Sequence, residues 1–249
     1  MLLKDKVAVV YGASGPIGGA AARAFAREGA RVFLAARSSA ALDKLAEEMR
    51  ADGRTVETSV VDAREAAAVD AFVDGVVART GRIDASFNAI GYGDVQKPLM
   101  EISEADFLQP IVTAMRSQFL TTRAAARHMI ARRAGVILTF GGGGPQTLPG
   151  LGGFKIALDA LEGLRRQWAI ELGPHGIRVV TLKSGGVPET LPEGFPGRDA
   201  IVDGLVASTQ LGRGATLADV GDVAAFVASD RARTLTATDV NISCGAIVD

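Results

Sequence analysis

Four apolar residues, Val7-Ala8-Val9-Val10, run directly into Tyr11-Gly12-Ala13-Ser14-Gly15-Pro16-Ile17-Gly18, and helical spacing begins at once through Ile17, Ala21, Ala24 and Phe25. A short continuous apolar run is a strand buried on both faces. Glycines let the backbone turn sharply and let a ligand approach it. The helix that follows opens with unpaired N–H groups at the positive end of its dipole. Strand, glycine turn and helix together form the opening of a unit whose helix N-terminus can face an anion such as a pyrophosphate. Pro16 suits the first helical position, where a missing N–H costs least.

The same alternation continues along the chain. Gly29 ends the first helix, and Val32-Phe33-Leu34 is the second strand. Ser39 reads as the N-cap of a helix carrying Leu42, Leu45 and Met49, and Thr55 to Val61 is a β-branched third strand. A third helix follows through Val69, Phe72, Val73, Val76 and Val77, then a strand from Ile83 to Asn88. The region from Ser103 to Arg133 is helical, and Pro110 predicts a break into a short helix and a long one. Gly135 to Phe140, Ile177 to Leu182 and Asp239 to Ile242 read as strands five, six and seven. Helices over Phe154 to Leu172 and from Thr216 separate them. Residues 184–212, rich in Gly and Pro with a short helix near 198–208, are long for an idle connection and suit a lid. The expectation is an α/β chain with one Rossmann-type, doubly wound parallel sheet of about seven strands, helices on both faces and a ligand site at the strand C-termini.

Composition excludes several functions. The 249 residues suit one domain, and 48% hydrophobic residues exclude disorder. Lys+Arg number 27 against 28 Asp+Glu, so no basic excess exists to hold a nucleic acid. No apolar run reaches a membrane span of about 18 residues. The start, Met1 to Lys6, lacks a signal peptide's pattern, which points to the cytoplasm. Cys244 is the sole cysteine and reads as a small core residue. His128 and His175 have no matching metal partners, so no metal site is expected. Trp168 reads as core or subunit contact.

With these elements in order, the chain resembles the short-chain dehydrogenase/reductase family. Gly12 and Gly18 match the outer glycines of its Thr-Gly-x-x-x-Gly-x-Gly turn, with Tyr11 for the threonine and Pro16 for the middle glycine. The resemblance implies a nicotinamide dinucleotide held by Gly12, Ser14, Gly15, Ile17, Gly18, Arg37, Ser38, Asp62, Ala63, Asn88, Ala89, Lys155 and Val187. Arg37 ends the second strand, where a guanidinium suits a 2′-phosphate, so NADP(H) is favoured over NAD(H). Asp62 would contact the adenine, and Lys155 would grip the nicotinamide ribose. The family further implies a homo-oligomer, a tetramer or a dimer, paired through helices around 104–133 and 152–172.

The catalytic residues depart from the family. Leu151 stands where the acid tyrosine belongs, and Leu148 stands at the alternative Tyr-x6-Lys spacing of enoyl reductases. Phe140-Gly141-Gly142-Gly143-Gly144 replaces the serine segment, and Ala114 replaces the asparagine. Gly141, Gly142, Leu151 and Ala114 are therefore expected to line an apolar substrate pocket, with Tyr92 as a surrogate acid beside Lys155. Leucine cannot donate a proton. Three functions fit: an NADP(H)-dependent oxidoreductase of a small C=O, C=N or activated C=C substrate, a non-redox cyclase, lyase or isomerase on this scaffold, or a silent nucleotide-binding subunit or sensor. Restoring the pair with Leu151→Tyr and Gly142→Ser is expected to raise carbonyl reduction.

Overall fold

A computed structural model describes residues 1–145 and 147–248. Seven parallel strands form one sheet: β1 (Val7–Tyr11), β2 (Arg31–Ala36), β3 (Val56–Val60), β4 (Ala85–Asn88), β5 (Gly135–Gly141), β6 (Ile177–Lys183) and β7 (Thr238–Asn241). Their order is β3-β2-β1-β4-β5-β6-β7, so the direction of winding reverses between β1 and β4. The helices are α1 (Pro16–Arg27), α2 (Ser39–Ala51), α3 (Ala66–Thr80), α4 (Glu104–Arg132), α5 (Gly152–Leu172), α6 (Arg198–Ala207) and α7 (Leu217–Ala228).

Strand alternation sends side chains to two cores. Ala8, Val10, Val32, Leu34, Phe87 and Leu138 pack under α1, α2 and α7. Val7, Val9, Tyr11, Phe33, Ile137 and Val179 pack under α3, α4 and α5. Two faces buried at once explain why the strands read as continuous apolar runs. Asp84 fastens the start of the sheet: its carboxylate accepts the Val7 N–H at 2.8 Å and is forked by Arg82 at 2.8 and 2.5 Å. Arg132, at the end of α4, joins it at 3.3 Å.

Two sequence expectations are corrected. Pro110 does not split the fourth helix; α4 runs unbroken over 29 residues. The proline sits in the second turn, so only the half-buried Asp106 carbonyl loses its intrahelical partner. The turn before it is secured by Ser103, whose hydroxyl accepts the Asp106 N–H at 3.1 Å. The N-cap of α2 is Ser38 rather than Ser39. Thr216 and Asp219 form a reciprocal capping box at α7. Within residues 184–212 lie a 3₁₀ turn, Pro188–Thr190, and α6. Among the described residues no helix is long and apolar enough to cross a membrane, and no group of metal-ligating side chains gathers.

Candidate active site

The C-terminal ends of β1, β2, β3 and β4 border a cleft of about 410 Å³ at the reversal of the sheet. Sheets of this class bind ligands at that place. Gly12, Ser14, Gly15, Arg37, Ser38, Asp62, Ala63, Ala89 and Tyr92 line it. Gly12 has φ +72°, and a Cβ there would lie 2.6 Å from the Ala89 carbonyl oxygen. Only glycine lets the turn pass so close to the end of β4. Gly15 then caps α1 with no side-chain hydrogen bond. The N–H groups of Ile17 and Gly18 in the first turn of α1 are left without a capping side chain.

Asn88 is buried and shapes the neighbouring loop. Its Nδ2 donates to Thr121 Oγ1 at 3.1 Å, and its Oδ1 accepts the Ile90 N–H at 3.1 Å. Asp62 is gripped by its own loop: Arg64 donates from Nε at 3.0 Å and from Nη2 at 2.6 Å. That hydrogen bond, with the charges of Arg64 and Arg37 adding to it, lowers the Asp62 carboxyl to about 2. Arg64 was not singled out from the sequence, although it stands two residues after Asp62 at the end of β3. Gln109 and Thr113 were also missed. They line the cleft one turn apart on α4, with Gln109 Nε2 donating to Thr113 Oγ1 at 3.2 Å.

Several residues singled out from the sequence do not line this cleft. Lys155 Nζ does not reach the cleft lining: it donates to the Gly144 carbonyl at 2.6 Å and pairs with Asp159 at 2.5 Å. Tyr92 borders the cleft, but its ring is buried among Ala114, Ala157, Leu158 and Phe154. Its hydroxyl donates to the Phe140 carbonyl at 3.3 Å, and burial raises its pKa well above the ordinary phenol value. This placement is that of a packed wall. Ala114 is fully buried behind Tyr92, while its neighbour Thr113 faces the cleft. Gly141, Gly142 and Leu151 do not line the cleft, and neither does Val187, which is buried beside Ala215 and Val220. A Cβ on Gly142 would lie 2.7 Å from the Ser184 carbonyl oxygen, so this glycine lets the ends of β5 and β6 close together. Leu151 precedes α5, and its carbonyl accepts the Phe154 N–H at 3.1 Å.

Comparison with known proteins agrees with this architecture. A family model described as Enoyl-(Acyl carrier protein) reductase matches residues 12–246. The chain is 31% identical to the "A-factor type gamma-butyrolactone 1'-reductase (1S-forming)" of Streptomyces virginiae, over 98% of this chain and 96% of that protein. Among solved structures, an actinorhodin polyketide ketoreductase variant with NADPH superposes with a TM-score of 0.87 at 25% identity, covering 97% of each chain. An NAD+-bound xylitol dehydrogenase gives a TM-score of 0.89 at 25% identity, covering 98% of this chain and all of that one. The chain belongs to the short-chain dehydrogenase/reductase family of oxidoreductases.

Proposed function

We propose that this chain is an NADP(H)-dependent oxidoreductase working without the family's tyrosine acid. The reading rests on one observation above all: a bare glycine turn and two arginines, Arg37 and Arg64, line the same cleft. The N–H groups of Ile17 and Gly18 and the Ser14 hydroxyl suit the pyrophosphate, and Arg37 suits the 2′-phosphate. These residues fit the adenine half of the dinucleotide; Lys155, tied to Asp159, would have to release that partner to meet the nicotinamide ribose. The nicotinamide, when bound, supplies or accepts the hydride.

The substrate is a small apolar molecule with a C=O, C=N or activated C=C bond. Residues 184–212 act as the lid of a single domain, and the exposed apolar side chains of α4 and α5, such as Phe119, Ile156 and Ile170, pair subunits of a homo-oligomer in the cytoplasm. A silent nucleotide-binding subunit is the second reading, favoured by the burial of Tyr92 and the pairing of Lys155.

Calorimetric titration with NADPH, NADP, NADH and NAD tests the cofactor. The expected result is micromolar binding of the phosphorylated pair. Binding of none would end the dinucleotide reading. Nicotinamide absorbance, followed with ketones, imines and enones, then separates the two readings: turnover selects the oxidoreductase, and binding without turnover selects the silent subunit.

A further inference from the structure

The charged residues lining the cleft are Arg37, Asp62 and Arg64. Asp62 is the one acid among them. A free carboxylate there would oppose any phosphate bound at the same end of the cleft. It is not free. The Arg64 backbone N–H and Nε each donate to Asp62 Oδ1 at 3.0 Å, and Nη2 donates to Oδ2 at 2.6 Å. The pair sits on one loop, two residues apart, so it forms without any movement of the sheet. Among the described residues Arg37 has no such ion-pair partner, and its guanidinium is exposed at the cleft. The three charges therefore sum to one unpaired cation at the adenine end.

We infer that Arg64 sets the choice of nucleotide by neutralising Asp62, which leaves Arg37 free to hold a phosphate on the adenosine ribose. This rests on the dinucleotide reading above and assigns its 2′-phosphate selectivity to a pair rather than to Arg37 alone. Arg64 is a positioning residue here: it acts through Asp62. Without it, Asp62 competes with the phosphate for Arg37 and repels the dianion directly. Both effects weaken the phosphorylated ligand and leave its unphosphorylated counterpart nearly unchanged.

Fragments of the cofactor give a readout independent of turnover. The affinities of 2′,5′-ADP and 5′-AMP are measured by calorimetry at pH 7.5 for the wild type, Arg64→Gln, Asp62→Asn and the double variant. The ion pair is partly exposed, with Arg64 41% exposed, so all four proteins should fold, with stabilities within about 1 kcal/mol of one another. The wild type is expected to prefer 2′,5′-ADP. Arg64→Gln should cut that preference about tenfold, the scale of a charged contact near a protein surface. The double variant should recover most of it, because the uncompensated acid is gone. An unchanged preference in Arg64→Gln overturns the inference while the cofactor reading stands. A loss that the double variant fails to recover also overturns it, because Arg64 would then touch the phosphate itself. If the wild type binds neither fragment, the cofactor reading falls and takes the inference with it.

Discussion

Replacing Gly12 by alanine separates two demands that the glycine turn meets at once. The residue has φ +72°, and an L side chain in the left-handed region costs roughly 1–2 kcal/mol. The added methyl would also lie 2.6 Å from the Ala89 carbonyl oxygen and 2.8 Å from its carbon. Both are backbone atoms of the β4 loop, held there by the Ala89 N–H donating to the Tyr11 carbonyl at 3.1 Å. Forced contacts of this kind cost about 1–3 kcal/mol. Together the two give about 2–5 kcal/mol, slightly offset by the stiffer unfolded chain. Gly15 is the internal control. Its φ is −86°, and a Cβ there would have its nearest neighbour at 3.4 Å. Gly15→Ala should therefore fold within about 1 kcal/mol of wild type, losing only a slightly better cap. A phosphate resting on the turn would still meet the new methyl, and dinucleotide affinity should fall at least about tenfold, or 1.4 kcal/mol. Urea unfolding followed by circular dichroism and by Trp168, the sole tryptophan, measures the first pair of numbers; calorimetry measures the last. Equal stability of Gly12→Ala and wild type would refute the close-approach argument. Equal losses of stability in both variants would refute the separation of fold from binding.

Three further outcomes follow from the same geometry. Asp84→Ala strips the Val7 N–H, Arg82 and Arg132 of a shared partner and should destabilise by about 3–5 kcal/mol, read from the urea midpoint. The Asp62 carboxyl titrates at about 2 in the fold against an ordinary 3.8, so its contribution is present above pH 3.8 and lost as the pH falls toward 2. Solvent screening of this half-buried pair holds the effect to about 1 kcal/mol, and Arg64→Gln should flatten stability over that window in acid titrations. Gly142→Ser should lose stability by about 1–3 kcal/mol because of the Ser184 carbonyl, while Gly141→Ser, whose Cβ would sit 3.4 Å from a Thr181 methyl, should cost less in thermal melts. Gly141→Ser is therefore the milder of the two serine replacements for stability.

The fold was legible because its signals are local. Val7–Val10, the glycine turn and Gly29 specify a strand, a turn and a helix with no knowledge of the rest. Pro110 misled because the rule against internal proline ignores position: near the start of a helix it orphans one half-exposed carbonyl. The cleft at the reversal of the sheet was legible for the same local reason. Gly12 and Arg37 directly follow β1 and β2, Asp62 lies two residues beyond β3, and parallel strands bring their ends together. Arg64 was not legible as a site residue, because its role lies in a side-chain fork on Asp62 that spacing does not announce. The side of the cleft formed by α4 and Tyr92 was the least legible. Whether Thr113 or Ala114 faces the cleft depends on a fraction of a helical turn. Whether Tyr92 is an acid or a wall depends on the packing of Ala114, Ala157 and Leu158 around it.

That packing bears on which substrates the proposed activity can serve. A general acid must give up its proton while charge develops on the substrate, and it works best with a pKa near the operating pH. Tyr92 fails on both counts: its proton is committed to the Phe140 carbonyl, and burial pushes its pKa further from neutrality. Leu151 has no proton to give. On α4, the cleft is lined by the polar side chains of Gln109 and Thr113, which can orient a substrate or a water but are too weakly acidic to protonate an alkoxide. An iminium substrate carries its positive charge into the site and needs no acid as hydride arrives. An enone yields an enolate that water can protonate in a later step. A simple ketone has neither escape. The order of reactivity expected of this chain is therefore iminium and enone ahead of ketone. Turnover of a plain ketone at rates matching the iminium would mean that the cleft holds an acid outside the groups named here.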